Sequence, residues 1–241
     1  MQARQGEAIN EMKVASVISS VQRAVRNHGV LAATYDVLVR SMNRFVYLKS
    51  FQCIVIERVN PEFSTLPAHL NYVRLEGTSL SLFGGVKENE LPEGFVRDAL
   101  AKGDECYAIL DGNTLASYGW YSKTPTLVDR DLRLHFNPQY VYRYKGFTSE
   151  PYRGQRLHAI GMMLGLNEYL NRGFKGLVAY VESNNFNCLK SCYRVGYKNC
   201  GHMRVLRLAG RYFIHPGQGC GDYGLHLQTN FFAAKPSSEL A

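Results

Sequence analysis

Ten consecutive residues, Glu150-Pro151-Tyr152-Arg153-Gly154-Gln155-Arg156-Leu157-His158-Ala159, join a strand-like run, 140–148, to a helix-like run, 159–171. A strand that enters a helix through an Arg-Gly turn leaves the N–H groups of the first helical turn pointing out of the helix end. The aligned peptide dipoles add partial positive charge there. Arg153 and Arg156 contribute two guanidinium groups whose donors suit phosphate oxygens. The segment reads either as an anion-binding turn or as a plain turn before a helix, because short glycine motifs are weak by themselves.

The flanking pattern is mixed α/β. Apolar residues at helical spacing predict one helix over 7–28 and a second, basic and amphipathic, over 31–49. The pattern changes to strand at Cys53-Ile54-Val55-Ile56, with a weaker strand over 70–75, a loop over 84–92 and a short helix over 93–102. Residues 106–110 and 115–120 flank Asp111-Gly112-Asn113 and predict a hairpin. The polar stretch 121–137 reads as a loop. Beyond the helix over 159–171 come a strand over 176–181, a helix over 185–195 stopped at Gly196, and strands over 203–208 and 211–215. A strand, a helix and a second strand in this order predict one parallel crossover.

The 241 residues suit one large globular domain with an extension: 1–50 helical, 51–227 the catalytic or binding domain, and 228–241 a mobile tail. No apolar stretch is long enough to span a bilayer, and the N-terminus lacks the apolar core of a signal peptide, so a soluble, cytoplasmic protein is expected. The basic helix over 31–49 would pack on its own domain or touch a membrane surface or acidic partner. Cys188 and Cys192 lie four apart with no companion pair, so no metal site is expected and the six cysteines read as free thiols. The formal charge of +8 concentrates around the Arg-Gly loop: 140–211 holds twelve Lys/Arg against three Asp/Glu, whereas 51–139 is net negative. That balance calls for a polyanionic ligand or an acidic partner. No nucleic-acid signature is present, and neither is a Walker loop, a dinucleotide fingerprint or a Gly-x-Ser-x-Gly elbow.

Pro151-Tyr152-Arg153-Gly154 after a strand, the strand over 177–181, and the helix from Asn185 to Gly196-Tyr197 together resemble the GCN5-related N-acetyltransferase (GNAT) superfamily, over about 105–215. The resemblance implies a mostly antiparallel twisted sheet with one splayed parallel pair, flanked by helices. It implies an acyl-coenzyme A co-substrate and no metal. Phe147 and Thr148 would pair with the pantetheine, while Arg153, Gly154, Gln155, Arg156, Leu157 and His158 would hold the pyrophosphate, with Asn185 opening the last helix beside it. Arg156 and His158 stand where the family carries small residues. Helical backbone at those positions needs no positive φ, so their bulk would narrow the approach without removing the N–H donors.

The chemistry implied is direct attack of an amine on the thioester. The amine would belong to a small molecule or peptide, with Tyr142 and Tyr144 lining the acceptor pocket. Glu182 is a candidate base, as are Glu150, His158 and His135. The family's leaving-group tyrosine aligns with Cys192, one residue short of Tyr193, so either residue, or water, would protonate the thiolate. Two other readings stay open: a long-chain N-acyl amino acid synthase fed by the phosphopantetheine of an acidic acyl carrier protein, and a non-catalytic acyl-CoA-binding module.

Overall fold

The computed structural model describes residues 25–26, 29–31, 34–35, 37–38, 47–129, 131–208 and 211–229. Most of the helices expected over 7–28 and 31–49 therefore lie outside the described residues, as does the tail beyond 229. The strands are β1 (Tyr47–Ile56), β2 (Leu70–Leu75), β3 (Glu105–Asp111), β4 (Thr114–Ser122), β5 (Thr126–Asp129), β6 (Leu132–His135), β7 (Tyr140–Thr148), β8 (Gly176–Glu182), β9 (Lys198–Leu208), β10 (Arg211–Pro216) and β11 (His226–Thr229). The helices after Tyr47 are α1 (Gly77–Ser81), α2 (Glu93–Ala101), α3 (Leu157–Asn171) and α4 (Phe186–Val195).

Eight strands form one sheet in the order β10-β9-β1-β8-β7-β4-β3-β2, and β11-β6-β5 form a second. Every pairing is antiparallel except β7 with β8. This is the mixed α/β layout that the resemblance implied, with α3 as the crossover between the parallel pair. α3 and α4 cover one face of the large sheet, where Met162, Met163, Leu166 and Tyr169 meet Val141, Leu177 and Ala179. The small sheet covers the other face through Leu132, Leu134 and Leu227. Around β3 and β4 that same face is covered by α1 and α2 through Leu80, Val96 and Ala99.

Four expectations are corrected. The helix expected to run to Lys49 has given way to strand by Tyr47, and β1 is inserted between β8 and β9. Cross-strand neighbours on both sides outweigh helical spacing here, because sheet pairing is a tertiary property. The stretch 121–137 contains β5 and β6, whose inward Leu132 and Leu134 are fully buried. Residues 228–229, expected in the tail, close the small sheet as the end of β11 opposite Arg133 and Leu132. β9 starts at Lys198, directly after the helix stop, and not at 203.

One buried carboxylate ties α3 to the sheet. Glu105 is 4% exposed; it accepts from Arg172 Nη1 at 2.6 Å and Nη2 at 3.0 Å, from Tyr169 Oη at 2.8 Å and from Lys123 Nζ at 2.7 Å. Burial acts to raise its pKa, but the bonds from Arg172, Lys123 and Tyr169 outweigh it and hold the carboxyl down at about 2, against 4.5 unperturbed. A depressed folded pKa contributes stability that is complete above about 4.5 and is lost as pH falls toward 2. Glu105→Gln is expected to cost about 3 kcal/mol at neutral pH, since it strands Arg172. In thermal melts the gap between this variant and the wild type should close on acidification through that window.

Candidate functional site

The site begins where β7 and β8 part. Their parallel pairing covers only Tyr140, Val141 and Tyr142 opposite Gly176, Leu177 and Val178. On its other edge β7 stays paired to β4, but Gly119–Tyr121 on β4 is matched by Gly146–Arg143 on β7. Two steps therefore face three, and β7 carries an extra residue around Tyr144-Lys145. Such a bulge bends a strand and increases its twist. It lies one residue past the last β8 pair and turns the rest of β7 away, leaving the edge of β7 that faces β8 without a strand partner.

β7 then runs through a 3-10 turn, Glu150–Tyr152, into the Arg-Gly loop and α3. Gly154 and Arg156 both have positive φ, 84° and 61°. This corrects the expectation of helical backbone at Arg156: it is the left-handed residue immediately before α3. A glycine there would be unstrained, whereas a side chain at positive φ costs about 1–2 kcal/mol. Among the described residues, no hydrogen bond is made by the backbone N–H groups of Gly154, Gln155, Arg156, Leu157 or His158; the next two, of Ala159 and Ile160, donate to the Arg156 carbonyl at 2.9 and 3.0 Å. Successive outward N–H groups at left-handed positions form an anion-binding concavity at a helix start.

The side chains of this loop have separate tasks. Arg153 Nε donates to the Thr148 carbonyl at 3.3 Å, and Gln155 Nε2 donates to the Pro151 carbonyl at 3.3 Å. Arg156 leans on the Phe63 ring and pairs with Glu62 at 3.2 Å, both partners being exposed. Leu157 is buried in the core, so only its N–H faces the cradle. At the end of β7 the Phe147 carbonyl accepts from Ser117 Oγ at 2.7 Å, Thr148 Oγ1 lies 3.0 Å from the same hydroxyl, and the Phe147 ring stacks on Tyr118.

His158 points back into the protein, where Arg143 Nη2 donates to its Nε2 at 3.4 Å. Burial and then the Arg143 charge push its pKa down to about 3. The imidazole is thus neutral and a weak base at physiological pH, which removes the near-neutral pKa a general base needs. His135, on β6, stacks on His226, and its pKa is lowered, mainly by burial. Glu182 ends β8 and pairs with Lys49 at 2.6 Å, with 42% of its side chain exposed. Glu150 is exposed on the turn.

On α4, Asn185 is the N-cap: its side-chain oxygen accepts from the Cys188 N–H at 3.2 Å. Cys192 is buried, facing Arg143 and hydrogen-bonded to Cys188, while Tyr193 is 39% exposed on a different face, as a one-residue offset on a helix requires. The Cys192 thiol bond, helped by the Arg143 charge, lowers the pKa of Cys188. Tyr142 and Tyr144 lie on the opposite face of β7. Tyr142 is fully buried between stacked Tyr144 and Tyr180, and Tyr144 donates to Asp104 at 2.6 Å. All six cysteines are free, and no group of three metal-ligating side chains occurs among the described residues.

Sequence reading missed Arg143 and Gly146. A β-carbon at Gly146 would lie 2.6 Å from both Arg143 Nη2 and His158 Cε1, so the glycine makes room for the guanidinium. The available signal was a lone arginine inside the alternating run Tyr140 to Tyr144.

No family model matches the chain, and no curated protein matches it. Solved structures similar to it include proteins described as GNAT-family acetyltransferases. A tandem GNAT protein from the clavulanic acid biosynthesis pathway is 14% identical, covered over 70% of this chain and 54% of its own, with a TM-score of 0.49. A GCN5-related N-acetyltransferase-like protein from Streptococcus suis is 14% identical over 76% and 68% of the two chains, at 0.47. A GNAT-family acetyltransferase from Colwellia psychrerythraea is 15% identical over 66% and 55%, at 0.44. The chain thus spans little more than half the length of the first and third of these.

The left-handed backbone at Arg156 is open to a direct test. Arg156→Gly is expected to stabilise the protein by about 1 kcal/mol in urea denaturation, because relief of the left-handed strain exceeds the loss of an exposed ion pair. Arg156→Val, β-branched at positive φ, is expected to destabilise it.

Proposed function

We propose that the protein is an N-acyltransferase that moves an acyl group from a coenzyme A thioester to the amine of a small molecule or peptide. One observation carries the reading: a parallel strand pair that parts after three residues, followed directly by five consecutive unpaired N–H groups at the start of α3. A pyrophosphate seated on residues 154–158 places the attached pantetheine along the free edge of β7. The thioester then reaches the cleft between β7 and β8. Arg153 and Arg156 lie beside the cradle and supply the charge that a phosphate-bearing donor needs.

Holding amine and thioester together accounts for the rate without a covalent enzyme intermediate. A backbone N–H of the bulged strand, near Phe147 or Thr148, is the oxyanion donor. Glu182, at the open end of β8, takes the ammonium proton. The departing thiolate is stable near neutral pH and takes its proton from water, or from Cys192 or Tyr193.

Calorimetric titration with coenzyme A tests the donor cradle. Wild-type protein is expected to bind, and the double variant Arg153→Ala, Arg156→Ala to bind about tenfold more weakly, a change of about 1.4 kcal/mol. Absence of binding by the wild type sinks the reading. Tight binding without thiol release across a broad amine panel reduces the protein to an acyl-CoA-binding module.

A further inference from the structure

Of the six cysteines, five are buried and Cys188 alone is half-buried. It is the third residue of α4, in the turn capped by Asn185, and Cys192 stands one turn further on the same helix face. β8 ends at Glu182, and residues 183–185 lead directly into α4, so this turn stands at the end of β8 that β7 leaves. Arg143 is the β7 residue directly after the last pair with β8, and its charge acts on the Cys188 thiol. Arg143 is 9% exposed and forms no ion pair with any described residue; the Tyr121 hydroxyl and His158 hold its guanidinium in place.

Three influences act on the Cys188 thiol. The hydrogen bond from Cys192 is the largest, burial opposes it, and the Arg143 charge adds to it; together they bring the pKa down to about 7, against 9.0 unperturbed. Cys192 itself is pushed up, by the same bond and by burial. Tyr197, between α4 and β9, faces both thiols, and His158 of α3 faces Arg143; burial raises the Tyr197 pKa and lowers that of His158, so both are neutral. Burial likewise raises the Cys53, Cys106 and Cys200 thiols. A half-exposed thiol at a helix start and beside a cation is the setting in which cysteines are reactive, and attack on a disulfide is fastest when the pKa of the attacking thiol lies near the ambient pH.

We infer that Cys188 is a modification site: its thiolate attacks the disulfide of a small thiol and holds that thiol as a mixed disulfide. The Cys188–S–S–R bond forms as the S–S bond of R–S–S–R breaks, and the other half leaves as a thiolate that takes a proton from water. The attacked disulfide is itself the oxidant. An internal bridge to Cys192 does not compete, because residues four apart on a helix hold their β-carbons about 5–6 Å apart, whereas a disulfide needs about 3.5–4.5 Å. Two sources share this chemistry, coenzyme A disulfide and glutathione disulfide. A pyrophosphate seated on residues 154–158 gives the first an advantage, since it directs the attached sulfur into the cleft beside α4. That advantage rests on the acyl-transfer reading; the modification itself does not.

The test incubates the reduced, intact chain near neutral pH with each disulfide in turn and reads adducts by intact mass and peptide mapping. The expected product carries one thiol, on Cys188, removed by dithiothreitol and absent from Cys188→Ser. Coenzyme A disulfide is expected to react about tenfold faster than glutathione disulfide, and the gap to close in the double variant Arg153→Ala, Arg156→Ala. Equal rates in the wild type keep the site and remove the advantage of coenzyme A. Iodoacetamide gives a second readout: the alkylation rate of Cys188 is expected to rise through a midpoint at about pH 7, and that midpoint to move upward in Cys192→Ala, which lacks the thiol bond. The proposal is overturned by no adduct on Cys188 from either disulfide, by an adduct on another cysteine instead, by a Cys188–Cys192 bridge in its place, or by an alkylation midpoint at the value of about 8.5 for a free cysteine. Calorimetry with coenzyme A keeps the two readings apart. Binding without an adduct leaves the donor cradle and removes the modification site, whereas a glutathione adduct without coenzyme A binding does the reverse.

Discussion

The loss of pairing between β7 and β8 after Tyr142 governs the candidate site. A parallel pair inside a sheet ordinarily continues as far as both strands do, because each lost rung leaves buried N–H and C=O groups without partners. Here the bulge around Tyr144-Lys145 bends β7 while β4 still holds its other edge. The strand thus stays part of the sheet and yet opens a cleft in it. The turn, the left-handed residues and the start of α3 all follow from the direction in which β7 leaves.

Two buried charges show how differently the same fold treats polar groups. Glu105 is saturated by Arg172, Lys123 and Tyr169, and it fastens the end of α3 to the sheet. Arg143 sits beneath the beginning of the same helix with a neutral imidazole and thiols for neighbours. The saturated site is rigid and structural. The second lies within the layer where the helix start, the bulge and α4 meet, beside the Tyr121 hydroxyl.

Much of the local structure was legible in the residues. The β3–β4 hairpin follows from Gly112, at φ 55°, between two strand runs. The run from β7 through the Arg-Gly turn into α3, and α4 between its Asn185 cap and the Gly196 stop, were equally plain. In the candidate site, the turn that opens α3 and the different facing of Cys192 and Tyr193 could be read from spacing. The burial of Tyr142, the inward turn of His158 and the position of Arg143 could not, since each depends on what another element brings against it.

By itself the sequence determined the elements whose signals are local: turn glycines, helix caps, apolar periodicity and the concentration of basic residues around the loop. Only the tertiary structure decided that β1 enters the middle of the sheet, that 126–135 pairs with β11, and that Arg156 takes a left-handed backbone. It alone decided that Arg143 is enclosed with no counter-charge among the described residues. The physical reason is range. Caps and turns are set by neighbours within a few residues, whereas strand order, register and the burial of a charge are set by contacts between segments far apart in the chain.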